Sequence, residues 1–201
     1  ARAALDRELV LPAGYSLQFS GQYEDQIHAR QRLQIVLPLV FVIIFVILYF
    51  TFHSAVEASL VMLSVPFALI GGVYLMWIYG FNWSVAVWVG FIALYGVAVQ
   101  TGVVMVVYLH EALDARLAKG GEITERDIWD ATVTGSVLRL RPKLMTVTVV
   151  MASLIPIMWS HGVGSDVMKP IAAPIIGGMV TSTIHVLIIT PVIFYIMKRR
   201  A

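Results

Sequence analysis

The chain has 201 residues, of which 59% are hydrophobic and 13% charged, with a formal net charge of +2. So small a charge gives no electrostatic footprint for nucleic acid, and the absence of cysteine removes disulfides and thiolate metal sites. From Ala58 through His110 no Asp, Glu, Lys or Arg occurs. A soluble fold needs ionised residues on its wet faces, whereas a bilayer penalises each by roughly 2.5–3.5 kcal/mol at mid-depth.

In chain order, the first residues, Ala1-Arg2-Ala3-Ala4-Leu5-Asp6, are neither an initiator methionine nor a signal peptide and read as part of a longer protein. After Pro12-Ala13-Gly14, Tyr15, Leu17 and Phe19 alternate with Ser16, Gln18 and Ser20. That period of two predicts a strand end leaving a soluble domain. From Tyr23 to Arg32 the pattern turns helical and leads into the first of five apolar spans, predicted at 33–52, 58–79, 82–109, 142–160 and 170–197. Each approaches or exceeds the roughly 20 residues that cross a core of about 30 Å. Pro38 and Pro66 fall inside spans, where membrane helices tolerate them. Tyr79-Gly80-Phe81-Asn82-Trp83-Ser84 is the break in the uncharged run, and its aromatics suit an interfacial turn.

Segment 110–141 is amphipathic. Thr124-x-x-Asp127 resembles a capping box opening a helix, with Ile128, Trp129, Val133 and Val137 along a membrane surface, opposite Asp127, Asp130 and Thr134. Arg141-Pro142 is expected to end this element and open the fourth span. The fold class is therefore an all-α membrane protein of five transmembrane helices, residues 31–201, after a short extramembrane segment, 1–30. Arg116, Lys119, Arg126, Arg139, Arg141, Lys143, Lys198, Arg199 and Arg200 share one side. Arg2, Arg7, Arg30, Arg32 and Lys169 occupy the other, so the positive-inside bias puts the C-terminus and 110–141 in the cytoplasm.

Few residues are left to carry chemistry. No acidic residue falls within a predicted span, so a carboxylate proton relay is not expected from this segment alone. Lys143 sits at the start of the fourth span, whose apolar stretch Leu144–Trp159 covers roughly 24 Å. Two readings stay open: a lysine snorkelling to the surface, or an ammonium facing the bundle and requiring a carboxylate from outside this chain. Ala93, Gly96, Gln100 and Val104 share one face of the third span, where small residues admit another helix. Gln100 there is either interhelical glue or part of a transport path. Met168 opens the fifth span after a glycine-rich turn; a thioether suits Cu(I) or Ag(I), although a lone methionine usually only packs. Met151, Met158 and Met179 read as packing, His161 as a surface residue and His185 as an interhelical hydrogen-bonder. No HExxH, nucleophile pair or phosphate-binding loop appears, so an intramembrane enzyme has little support and no cofactor is expected.

The stretches LPAGYSLQFSGQYE (11–24), GFIALYGVAVQTGVVMVVYLHEAL (90–113), LRLRPKLMTVTVV (138–150) and GVGSDVMKPIAAPIIGGM (162–179) resemble the C-terminal transmembrane half of heavy-metal efflux transporters of the resistance–nodulation–division (RND) family. Met168 makes the pattern closer to CusA-like copper/silver pumps than to CzcA-like zinc, cobalt and nickel pumps. The resemblance implies a homotrimeric, proton-driven inner-membrane pump of twelve spans, working with a periplasmic adaptor (membrane fusion) protein and an outer-membrane channel. This chain would supply spans eight to twelve, preceded by the end of a periplasmic domain. Lys143 falls on a lysine of the family's proton relay, Gln100 where CusA-like members carry a glutamate, and Met168 on a methionine that passes metal onward. Glutamine cannot exchange a proton, so the chain departs from the pattern there. Two alternatives remain: divalent-metal export by a pump of the same family, and a membrane scaffold or degenerate fragment that transports nothing.

Overall fold

The structure, a computed structural model, describes residues 22–118 and 124–200, with side chains for 31–118 and 124–199. The chain divides into two units, Ala1–Leu37 and Pro38–Ala201. In the first, the described residues are the opening turns of helix α1 (Gln22–Phe52). The strand end expected at 11–22 and the Lys119-Gly120-Gly121 turn lie essentially outside the described residues.

The second unit continues α1 and adds α2 (Ala55–Met62), α3 (Ser64–Tyr79), α4 (Val85–Leu117), α5 (Glu125–Trp159), α6 (Ser165–Ile184), a π-helical turn (His185–Ile189) and α7 (Thr190–Arg200). Among the described residues there is no strand, and five helical stretches are long and apolar enough to cross a membrane. They are Gln31–Phe52, Ala55–Tyr79, Val85–Leu117, Glu125–Trp159 and Ser165–Arg199. Ile43, Ile47 and Phe50 of α1 and Met145 and Val149 of α5 are exposed, as befits side chains facing lipid rather than water.

Proline explains both irregularities. Pro66 has no N–H to give the carbonyl of Met62, and the second span breaks at Leu63, whose N–H still reaches the Ser59 carbonyl. Pro191 likewise cannot bond to Leu187; the π-helical turn absorbs the mismatch, and the Thr190 N–H bonds to the carbonyl of His185 instead. Gly80, at φ 65°, ends α3, and Ser84 caps α4 by accepting from the Val87 N–H at 3.4 Å. The predicted interfacial break thus stands where the sequence placed it.

Two apolar cores result. One gathers Leu48, Ala58, Val61, Met105, Leu109, Val186 and Phe194; the other gathers Ala68, Met76, Phe91, Leu94, Ala98, Ala173 and Met179. Between α3 and α6 the backbones nearly touch: a Cβ on Gly177 would collide with the carbonyl oxygen of Gly71. Without a hydrophobic driving force between helices in lipid, such close packing is what holds them together.

Two expectations need correcting. The second span begins at Ala55, not residue 58, so it contains the buried carboxylate of Glu57. Arg141-Pro142 does not end a helix; α5 runs through it unbroken. The described parts of the segment expected as a surface-lying element at 110–141 are therefore extensions of α4, to Leu117, and α5, from Glu125. Ala131, Thr132 and Gly135 are buried, Gly135 against the Tyr108 carbonyl and Leu109 Cα. Trp129, Val133 and Val137 stay exposed. At the start of α5 the Thr124 N–H donates to Asp127 Oδ2 at 3.1 Å, the reciprocal half of the expected capping box.

Candidate functional site

Lys143 is 2% exposed, and its Nζ has no hydrogen-bond partner among the described residues. Its neighbours Arg141, Pro142, Leu144 and Met145 are all exposed, so the lysine occupies the single inward position of its turn. One and two turns later Val147 and Val150 pack against the core around Ala98 and Met179. The spacing 143, 147, 150 is one helical face, and it turns the ammonium into the bundle rather than toward a surface. The snorkelling reading is thus set aside. An unpaired buried ammonium costs several kcal/mol unless it is neutralised or finds an anion.

The contact of Gly135 with Leu109 fixes the antiparallel register of α4 and α5. Moving about 12 Å along each helix from that contact reaches Lys143 on α5 and Thr101 on α4, next to Gln100. The two sequence-predicted relay positions therefore share a depth. They are not joined: Gln100 is exposed, and no hydrogen bond or ion pair to it occurs among the described residues. Ala93 and Gly96 lie on the same face; Ala93 is exposed, and a Cβ on Gly96 would meet nothing within 4 Å. That face of α4 is open.

Met168 stands in the first turn of α6, 51% exposed, at the end of the bundle reached after α5 has run about 24 Å beyond Lys143. The structure does not bring it to the other predicted site residues. No group of three or more His, Cys, Asp or Glu able to hold a metal ion occurs among the described residues, which leaves the methionine as a single soft donor. Met179 is buried in the core, and Met158 packs against it. His161 is exposed.

His185 departs from its expected role. Its ring is fully buried, but neither nitrogen has a partner among the described residues. It packs instead on Phe67, with ring centroids 4.5 Å apart. It stands at the start of the π-helical turn, an irregularity frequent at functional sites.

The sequence reading missed one charged cluster. Glu57 Oε1 lies 3.1 Å from His110 Nε2 and 3.0 Å from Lys198 Nζ, tying α2 to α4 and α7. Its Oε2 is buried without a partner among the described residues. Ser54-x-x-Glu57 has the form of a capping box, and the Glu57 N–H does donate to Ser54 Oγ at 3.4 Å. The carboxylate, however, turns inward. Nearby, Glu125 Oε1 accepts from the Tyr195 hydroxyl at 2.9 Å and pairs with Arg199 Nε at 2.8 Å, fixing the start of α5 to the end of α7.

Helices long and apolar enough to cross a membrane thus enclose a buried lysine that has no partner among the described residues, the kind of intramembrane charge that marks a candidate functional site. The AcrB/AcrD/AcrF family matches residues 1–198, and the chain belongs to it. Among the relatives it resembles are heavy-metal efflux proteins. It is 46% identical over 196 residues to the cation efflux system protein CusA of Escherichia coli (strain K12). It is 43% identical over 201 residues to the putative cation efflux system protein SilA of Salmonella typhimurium. These alignments cover 96% and 99% of this chain but 19% of each relative, so the chain spans about a fifth of their length. The crystal structure of a heavy metal efflux pump superposes with a TM-score of 0.75 at 34% identity, covering 99% of this chain and 19% of that one.

Proposed function

We propose that this chain is the C-terminal transmembrane part of an inner-membrane pump that exports Cu(I) and Ag(I) in exchange for protons. The observation that carries the reading is Lys143: a buried ammonium with no partner among the described residues is suited to meet a carboxylate from elsewhere in the transporter. The open face of α4 around Gly96 and Gln100 is where further helices of the same transporter would pack.

In this reading, proton entry neutralises the partner carboxylate, loosens its pairing with Lys143 and lets the helices shift between two arrangements. A proton falling through 100 mV supplies about 2.3 kcal/mol, enough to change a two-state ratio by more than tenfold. Gln100 can hydrogen-bond in such a site but cannot itself carry the proton. The cargo is inferred from Met168, whose exposed thioether is a soft ligand suited to monovalent copper and silver and poor for hard divalent ions. The pump would act as a homotrimer with a periplasmic adaptor and an outer-membrane channel.

Replacing Lys143 by Met in the complete transporter tests this directly. Metal resistance and proton-driven export are expected to disappear while membrane level and trimer formation stay at wild-type values. Unchanged resistance would remove Lys143 from the mechanism.

A further inference from the structure

A polar level separates the two apolar cores. Ala68, Ala98 and Met179 belong to one core, and Val61, Met105 and Val186 to the other. Between them, on three neighbouring helices, lie the buried hydroxyls of Ser64, Thr101, Ser182 and Thr183. Their common depth follows from the packing. A Cβ on Gly178 of α6 would meet Leu94 of α4 and the Ala68 carbonyl oxygen of α3. One turn on from these three stand Ser182, Ala98 and Ser64, and Ser64 Oγ lies 3.2 Å from the Ala98 carbonyl oxygen. Thr101, at the depth of Lys143, and His185 follow within another turn.

At this level the helices are weakened together. Thr101 Oγ1 donates back to the Val97 carbonyl at 2.9 Å, and Thr183 Oγ1 to that of Met179 at 2.7 Å. Such bonds loosen helices and often bend them. Pro66, Pro142 and Pro191 leave the carbonyls of Met62, Leu138 and Leu187 without their usual N–H. The break at Leu63 faces the π-helical turn, since the rings of Phe67 and His185 meet there with centroids 4.5 Å apart. Of these spans only α4 crosses the level without a proline.

On the two sides the helices are held by different means. All four ion pairs among the described residues lie on one side: Glu57 with His110 and Lys198, Glu125 with Arg199, and Arg116 with Asp130. They cross-tie α2 and α7 to the adjoining ends of α4 and α5. On the other side α3 and α6 are joined backbone to backbone at Gly71 and Gly177.

We propose that the polar level is a joint, at which the ion-paired end of the bundle moves as one body against the glycine-seamed remainder, with α4 as the pivot. A tilt of about 10° there would carry the far end of α7, about 16 Å away at the helical rise, by about 3 Å. Lys143 stands at the same level, so a group that pairs with it acts where the bundle bends. That use of the joint rests on the proton-driven reading above; the joint itself does not.

The test is fluorine NMR of the complete transporter in lipid nanodiscs, with a trifluoroethyl label on Ile196→Cys in an otherwise cysteine-free protein. Ile196 is exposed on α7, and Val73, exposed on α3 across the level, is the reference position. Two resonances are expected at Ile196. Pro66→Ala, which gives the Met62 carbonyl its N–H back in another span, should change their ratio threefold or more. The same label on Val73→Cys should give one resonance in both backgrounds. A single Ile196 resonance overturns the joint, and so does a ratio that ignores Pro66→Ala. A Val73 label that follows the Ile196 ratio also overturns it, because the whole bundle would then change together. If Pro66→Ala does not fold, Phe67→Leu removes the ring contact across the joint and carries the same readout. Proton-driven metal uptake into everted vesicles is measured on the labelled protein. Its absence beside the cross-span effect would refute the transport reading and leave the joint standing; uptake without that effect would refute the joint alone.

Discussion

Gly177 and Gly96 are the same residue type on apolar helices, yet their surroundings are opposite. At Gly177 the backbone of α6 runs against Gly71 of α3, and an added Cβ would strike the Gly71 carbonyl oxygen. At Gly96 on α4 an added Cβ would meet nothing within 4 Å. Small residues in membrane helices mark places where another helix can come close. In the α3–α6 seam the other helix belongs to this chain. On the Gly96 face none of the described helices stands, and Gln100, a candidate site residue, lies on that open face. The seam holds the bundle together; the open face is where function is expected to arrive.

Substitutions can break this contrast in a graded order. Gly177→Leu should have the largest effect, costing about 3 kcal/mol or more because backbone rather than a pliable side chain stands in the way. Steric trap or denaturant unfolding of the transporter in detergent would show it, and wild-type stability would show that the seam relaxes. Gly96→Leu should leave the stability of the helices within this chain unchanged while lowering assembly of the complete pump several-fold, read from native gels. Met168→Ile should reduce Cu(I) and Ag(I) resistance with no change in protein level; export left untouched would end its role as a ligand. Gln100→Glu should have the smallest effect, preserving or modestly raising activity, since the two side chains are nearly the same shape. A loss of activity there would show that a neutral residue is required.

Much of the fold was legible because a bilayer demands long uncharged runs, and the five apolar stretches coincide with the observed helices. Their ends were less legible. Hydropathy stops where charges begin, but backbone hydrogen bonding does not, so α4 continues to Leu117 and α5 starts at Glu125. The inward direction of Lys143 needed the structure: composition allowed a snorkelling lysine, and only its burial, together with the packing of Val147 and Val150, chose between the readings. Glu57 was hidden for another reason. It precedes the uncharged run, looks like a cap partner of Ser54, and meets His110 and Lys198 only after three distant helices have packed. His185 was misread because a buried ring in lipid is expected to find a hydrogen bond, and here it packs on Phe67 with both nitrogens free of partners among the described residues.

The central claim is that the ammonium of Lys143 is made to be paired by a carboxylate outside this chain. An experimental structure of the complete transporter at high enough resolution to place Lys143 Nζ measures this outright. The account predicts an Asp or Glu oxygen from another part of the protein within hydrogen-bond reach, about 3 Å. A nitrogen surrounded by bulk water or lipid headgroups, with no acidic side chain beside it, would contradict it.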